Sequence, residues 1–201
     1  MTDTGSSPAA AATDQSALSV DNLHMSYSVR GVPREVLRGV TFDVRPGEAY
    51  GLVGESGCGK STTAYAALRY LPSNGRIDEG RVTSGGDELT AMSASELREF
   101  RARKASMVFQ DPVQAVNPVL KIGVQVAEAY EVLGQSRGEA RESALAALKR
   151  VRIAAPESVM DRYPYQLSGG MLQRVVIAMA LACDPTPVSY THLTLPTTPY
   201  V

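Results

Sequence analysis

The chain has 201 residues and carries 20 Lys and Arg against 21 Asp and Glu, which gives a formal net charge of −1. This length suits one compact domain, and the near-neutral charge excludes a global field that would hold the protein on nucleic acid or anionic lipid. The two cysteines, Cys58 and Cys183, lie far apart without a secretory signature, which favours free thiols in a reducing compartment.

The first part of the chain is predicted to form β structure after a polar tail. Residues 1–16 are small and polar, which predicts a disordered tail rather than a signal peptide. Alternation of apolar and polar residues predicts a strand over 17–29 and two more strands within 35–54, separated by a turn at Pro46-Gly47. The pattern then changes to that of a helix over 60–71.

The rest of the chain continues this alternation, which places it in the α/β class. In chain order, the patterns predict a hairpin over 76–90, a helix over 94–104, a strand over 105–112, two helices within 122–152 and a last helix over 171–183. Ser93 or Ser95 is expected to cap the helix over 94–104. The charged residues of this helix are interpreted as a solvated face.

A phosphate-binding loop is predicted at "GESGCGKST", residues 54–62, which fits G-x-x-x-x-G-K-[ST] between an apolar stretch and a helix. Glycines let the backbone N–H groups point at phosphate oxygens, and the following helix adds its positive end. Lys60 would neutralise the β- and γ-phosphates, Ser61 would bind Mg²⁺, and Thr62 would support the α-phosphate. The alternative, a glycine-rich surface turn, would not require Lys-Ser at a helix start. The residues assigned to the nucleotide are Gly54, Glu55, Ser56, Gly57, Cys58, Gly59, Lys60, Ser61 and Thr62.

Two further segments, "MVFQDP" (107–112) and "LSGGMLQRV" (167–175), together with the phosphate loop resemble the motifs of ABC ATPases. The resemblance covers about residues 18–186, and this segment is most similar to the ATP-binding subunits of dipeptide, oligopeptide and nickel importers. It implies a P-loop NTPase core over 17–187, with an N-terminal antiparallel β subdomain and an inserted α-helical subdomain at about 113–165.

The resemblance assigns further site residues. Tyr27 would stack on adenine, although a Tyr in a strand also serves packing. Gln110 would reach Mg²⁺ and the attacking water, although a Gln before Asp-Pro can also be a helix cap or a turn residue. Small residues of the signature, Ser168, Gly169 and Gly170, would bind the γ-phosphate held by the opposite subunit. Leu172 stands where related importers more often have Arg, which would remove a cation near that interface.

The resemblance ends after about residue 186. The family continues with four apolar residues and Asp-Glu, whereas Asp184 is the last acidic residue here, so the hydrolytic base and the later switch histidine are not matched. Residues 188–201 resemble a translated sequencing-library adapter and are expected to be artefactual; the alternative is a strand containing Val188, Tyr190 and Leu193. The sequence therefore predicts a domain incomplete at its C-terminus, non-hydrolysing and poorly soluble.

The family resemblance implies ATP and Mg²⁺ as cofactors and, in the parent protein, ATP hydrolysis coupled to import of peptides or nickel. It also implies a second ABC ATPase subunit in a homo- or heterodimer, two transmembrane permease subunits and, indirectly, a substrate-binding protein. The expected location is peripheral, on the cytoplasmic face of a bacterial inner membrane. The alternative is a soluble ABC ATPase acting on nucleic acid or ribosomes; the net charge of −1 gives it no support, and no nucleic-acid partner is expected.

Overall fold

A computed structural model describes residues 16–184 and 188–190 of the chain. The predicted N-terminal antiparallel sheet is present, with strand order β2-β1-β3-β4. Its strands are β1 (Leu18–Val29), β2 (Val32–Val44), β3 (Gly75–Ser84) and β4 (Asp87–Glu88). The predicted hairpin is the β3–β4 pair, joined by Gly85 and Gly86.

A bulge interrupts the central strand β1. Its pairing with β3 shifts register between Asp21 and His24, and Asn22 has φ +46°. Gly80 of β3 lies against this bulge with φ +98°, and a Cβ on it would lie 2.3 Å from the Asn22 carbonyl oxygen. Only glycine fits there, because the neighbour is backbone that cannot rotate away.

The helix predicted over 60–71 is shorter in the structure, where α1 spans Lys60–Ala67. Arg69 adopts φ +53°, and the Tyr70 N–H donates to the Tyr65 carbonyl at 2.8 Å. A left-handed residue just after the cap, with this long backward hydrogen bond, ends a right-handed helix. The predicted extension to Leu71 is therefore wrong.

The strand predicted just before the phosphate loop is also wrong. The turn forms, because the Glu48 N–H donates to the Arg45 carbonyl at 3.0 Å, but residues 49–53 are not in a strand. Their backbone groups make no hydrogen bond to any residue that the structure describes, and Val53 is 96% exposed. Strand propensity alone does not hold this segment, since no described strand lies in register beside it.

Strand β5 (Ser106–Val108) lies between two separate hydrophobic cores. Met107 packs with the β sheet and α1, whereas Val108 packs with the helical part of the chain. This follows from the two-residue period of a strand, which sends successive side chains to opposite faces.

The backbone of β6 (Val188–Tyr190) pairs in parallel with β5. The strand alternative for the end of the chain is thus seen for these three residues, while Leu193 lies outside the described residues. The predicted disordered tail, residues 1–16, also lies outside them except for Ser16. The assignment of 188–201 to an adapter stays a prediction.

Five more α-helices and two short 3-10 helices, Pro112–Ala115 and Pro164–Gln166, lie in the rest of the described residues. The five α-helices are α2 (Ala94–Arg103), α3 (Ile122–Glu131), α4 (Arg137–Arg150), α5 (Pro156–Met160) and α6 (Gly169–Ala180). Of the two predicted caps, Ser93 is the one that caps α2, in a capping box with Glu96, and Ser136 caps α4 in the same way. No helix in the described ranges has the length and apolar character that crossing a bilayer requires.

Exchange of Ala155 for glycine is expected to stabilise the fold. Ala155 is exposed and precedes α5 with φ +48° and ψ +57°, a left-handed conformation that is unfavourable for any residue with a Cβ. Ala155→Gly should raise the free energy of unfolding by about 0.5–1 kcal/mol, measured by urea titration. Exposed Ala94 has a helical conformation, so Ala94→Gly should instead lower the free energy of unfolding. If both variants changed this free energy in the same direction, the left-handed strain at Ala155 would not be the cause.

Candidate functional site

The phosphate loop is curled as the motif predicts. Gly57 (φ +81°) and Gly59 (φ +95°) lie in the left-handed region that favours glycine. A Cβ on Gly54 would lie 2.7 Å from the Sγ atom of Cys58, so the first glycine allows the two sides of the loop to approach. Residues 54–58, which include Glu55 and Ser56, are exposed. The loop therefore presents its backbone to solvent.

The Lys60 ammonium group is bound back onto the loop. It donates to the carbonyl oxygens of Gly54 (2.8 Å) and Glu55 (2.6 Å) and lies 3.5 Å from the Cys58 sulfur. An ammonium group has three N–H donors, and sulfur is a weak acceptor. The two bonds to carbonyls fix the position of the charge, and the third donor, which is bound to the weakly accepting Cys58 sulfur, is the one that an incoming anion would take.

The start of α1 leaves backbone donors free. Residues 59–62 have no acceptor for their N–H groups among the residues that the structure describes, and Gly59 contributes no side-chain cap. No acidic residue lies in the first turn of this helix. Free N–H groups and the positive end of the helix dipole make such a terminus suited to a phosphate.

Thr63 supports this junction and was missed by the sequence analysis. It is buried; its N–H donates to the Gly59 carbonyl at 2.7 Å and its hydroxyl donates to the same oxygen at 3.0 Å. These bonds fix the last loop glycine to the helix. A hydroxyl residue three positions after Lys60 was the signal available in the sequence.

Gln110 lies just beyond β5 and is exposed. The residue before it, Phe109, contacts Tyr65 of α1 with ring centroids 6.1 Å apart. The residue next to the predicted magnesium ligand therefore contacts the helix that begins at Lys60. The Gln110 side chain has no hydrogen-bond partner among the described residues.

The predicted signature residues lie at the start of α6. Ser168 is its N-cap, and its hydroxyl accepts a hydrogen bond from the Met171 N–H at 3.4 Å, while Gly169 and Gly170 are exposed in the first turn. No hydrogen bond or ion pair among the described residues joins them to the phosphate loop. Leu172 is buried in the helical core, and the expected loss of a cation near the interface stays a prediction.

The sequence profile of the ABC transporter family matches residues 37–188, about three quarters of the chain. This chain belongs to the ABC transporter family. Its structure is similar to the dimeric post-hydrolysis state of the ATP-binding cassette MJ0796 bound to ADP and Pi, with a TM-score of 0.76 and 28% identity over 86% of this chain and 72% of that one. The predicted α/β fold of an ABC ATPase is confirmed.

Curated relatives of this ABC protein are ATP-binding proteins of peptide transport. It is 48% identical to the probable peptide ABC transporter ATP-binding protein y4tR of Sinorhizobium fredii, over 79% of this chain and 48% of the relative. It is 42% identical to the dipeptide transport ATP-binding protein DppD of Bacillus subtilis, over 85% of this chain and 52% of the relative. The chain therefore spans about half the length of these relatives.

Tyr27 of this ABC protein lies near the end of β1 and is half-buried. Its ring covers Gly75 of β3, where a Cβ would lie 3.1 Å from the Tyr27 Cε1 atom. The Tyr27 ring therefore packs against β3, as the packing alternative expects, and its stacking on adenine stays a prediction.

Arg101 shows that the charged face of α2 is not uniformly solvated, contrary to the prediction. Its half-buried guanidinium donates from Nε to the Leu68 carbonyl at 3.0 Å and from Nη2 to the Arg69 carbonyl. It also lies 4.1 Å from the centroid of the Tyr70 ring. Sequence patterning missed this contact because a helix face is judged by residue type, whereas α1 ends against α2 only in the folded chain.

Burial changes the acid–base behaviour of this region behind the phosphate loop. Burial raises the pKa of Tyr70, and the nearby Arg101 charge opposes that effect. Burial lowers the pKa of Arg101, which the interaction with Tyr70 opposes. Burial also raises the pKa of the Cys183 thiol. The phenol and the thiol are therefore kept neutral near pH 7.

The donors at the site fit magnesium together with a nucleotide better than a metal alone. Within residues 16–184 and 188–190, no three His, Cys, Asp or Glu side chains come together to hold a metal ion. Ser61 and Gln110 are exposed and offer neutral oxygens. Magnesium in proteins commonly has few protein ligands and takes its remaining ligands from phosphates and water.

Proposed function

We propose that this chain binds MgATP as the nucleotide-binding part of an ABC importer subunit. The observation that carries the proposal is the Lys60 ammonium, fixed on two loop carbonyls beside the free N–H groups of residues 59–62. Lys60 and the loop amides would bind the β- and γ-phosphates. Ser61 and Gln110 would hold Mg²⁺, which supplies charge neutralisation when bound, and Tyr27 would contact adenine.

A second ATPase subunit would complete each site. The signature residues Ser168, Gly169 and Gly170 expose small side chains at a helix start but make no hydrogen bond to the phosphate loop of their own chain within the described ranges. We infer that they bind the γ-phosphate held by a second subunit, which is either identical or related. The dimeric state of the similar cassette MJ0796 supports this arrangement.

Peptide uptake is the transport function that we propose for the parent protein. Its relatives are named for peptide and dipeptide transport, and the motifs also resemble those of nickel importers. The subunit would act at the cytoplasmic face of a bacterial inner membrane, on two transmembrane permeases. It would communicate with a substrate-binding protein only through those permeases.

The 201-residue chain itself is proposed to bind ATP without hydrolysing it. Residues 185–201 contain no Asp or Glu, so this segment offers no carboxylate side chain that could act as the general base. Gln110 orients water but cannot accept its proton at neutral pH.

The proposal is tested by titrating the chain with a fluorescent ATP analogue in the presence of Mg²⁺. We expect saturable binding that ATP and ADP reverse, and at least about tenfold weaker competition by AMP, which lacks the phosphates that Lys60 contacts. Released phosphate, measured in the same samples, should stay at the background rate.

Two outcomes would contradict parts of this proposal separately. Equal competition by ATP and AMP would show that the loop does not bind the phosphate tail. Steady phosphate release by the purified chain would leave binding intact but overturn the claim that it does not hydrolyse ATP. Co-purification of the full-length parent with two polytopic membrane subunits tests its place in a transporter.

A further inference from the structure

Arg101 connects the end of the phosphate-loop helix to a second helix. Its guanidinium binds the carbonyl oxygens of Leu68 and Arg69, which follow the last turn of α1. These carbonyls carry the negative end of the helix dipole, so a cation is favourable there. Arg69 in turn donates to the Leu89 and Met92 carbonyls, both at 2.7 Å, which holds the turn after α1 in place.

A row of aromatic rings leads from Arg101 to the residue before Gln110. The guanidinium lies over the Tyr70 ring at 4.1 Å, an arrangement that a cation and a π system favour. The edge of Tyr70 meets Phe109, with centroids 6.2 Å apart and planes at 81°. Phe109 also contacts Tyr65 of α1. Phe109 is therefore held between two rings that belong to the α1 region.

We propose that Arg101 is a positioning residue for Gln110, fixing through Tyr70 and Phe109 the distance between this amide and the phosphate loop. Gln110 has no hydrogen-bond partner of its own among the described residues, so the packing of Phe109, together with the β5 pairing before it and the Asp111 cap after it, sets where its backbone lies. Without the guanidinium, the Leu68 and Arg69 carbonyls lose their donor and the Tyr70 ring loses the cation that holds its face. The inference rests on the proposed role of Gln110 as a magnesium ligand.

The test compares nucleotide affinity with Mg²⁺ and with EDTA. In the unmodified chain, Mg²⁺ should tighten the binding of a fluorescent ATP analogue, and Gln110→Ala should reduce this gain. Arg101→Met should reduce it by about tenfold, while the affinity in EDTA changes by less than about twofold, because the loop and Lys60 are untouched. The double variant Arg101→Met/Gln110→Ala should show no further loss beyond Gln110→Ala, since both changes act on one ligand.

Further variants separate positioning from folding. Arg98→Met changes an exposed arginine on the same helix and should behave as the unmodified chain. Tyr70→Leu keeps the carbonyl contacts of Arg101 but removes the ring, so it should reproduce the magnesium-specific loss even if Arg101→Met does not fold. Arg101→Lys keeps the charge but not the fork of donors and should restore only part of the gain.

The outcomes distinguish this inference from the proposed function. If the unmodified chain binds no nucleotide, both are overturned. If it binds, but Arg101→Met and Tyr70→Leu keep the normal magnesium gain, the inference alone is overturned. Equal losses in Mg²⁺ and EDTA that add to the effect of Gln110→Ala would also overturn it, because they indicate a structural role.

Discussion

Replacing Lys60 with methionine is expected to weaken binding of the fluorescent ATP analogue by about 100-fold, or about 2.7 kcal/mol. Methionine keeps much of the aliphatic length but removes the charge that would contact the β- and γ-phosphates. It also removes the donors to the Gly54 and Glu55 carbonyls that fix the loop. The loss should therefore appear both with Mg²⁺ and in EDTA, unlike the loss expected for Arg101→Met.

The matched control for this experiment is Lys149→Met. Lys149 is an exposed lysine of α4 whose ammonium pairs with Glu157 at 2.9 Å. An exposed pair contributes little to stability, and the residue is not part of the loop, so the affinity should not change. If Lys60→Met binds the analogue as tightly as Lys149→Met does, the assignment of the phosphate loop is wrong.

Gly80→Ala is expected to lower the free energy of unfolding by about 3 kcal/mol, which is a large fraction of the total for a domain. A Cβ at this position would lie 2.3 Å from the carbonyl oxygen of Asn22 and 2.7 Å from that of Asp21. Neither oxygen can move without disturbing the pairing of β1 with β3. The φ of +98° adds strain for any residue other than glycine. Urea unfolding followed by circular dichroism measures the change.

Gly85→Ala separates the steric clash from the strain. Gly85 lies in the turn that follows the same strand and has φ +55°, but a Cβ on it would have no neighbour within 4 Å. It should cost about 1 kcal/mol, from backbone strain alone. If the two variants were equally stable, the close approach of Gly80 to the bulge would not be a constraint.

The order of elements could be predicted because each depends on a local pattern. Alternation predicted β1, and the cap at Ser93 predicted the start of α2. The phosphate loop was predictable for the same reason: its glycines, Lys60 and the following helix are contiguous in the chain.

The parts that could not be predicted depend on contacts between distant segments. The end of α1 is set by Arg69, whose left-handed backbone is held by carbonyls about 20 residues away. The role of Arg101 depends on α2 meeting that end. Residues 49–53 have a strand pattern, but pairing requires a neighbour in space. Propensity therefore predicts what a segment can form, and tertiary contacts decide what it does form.

The placement of Met107 and Val108 on opposite sides of β5 means that the residues the structure describes form two cores that meet at this short strand. Each core has its own apolar contacts, so each has its own free energy of opening. Thermal melting should then occur in two overlapping stages rather than as one all-or-none event.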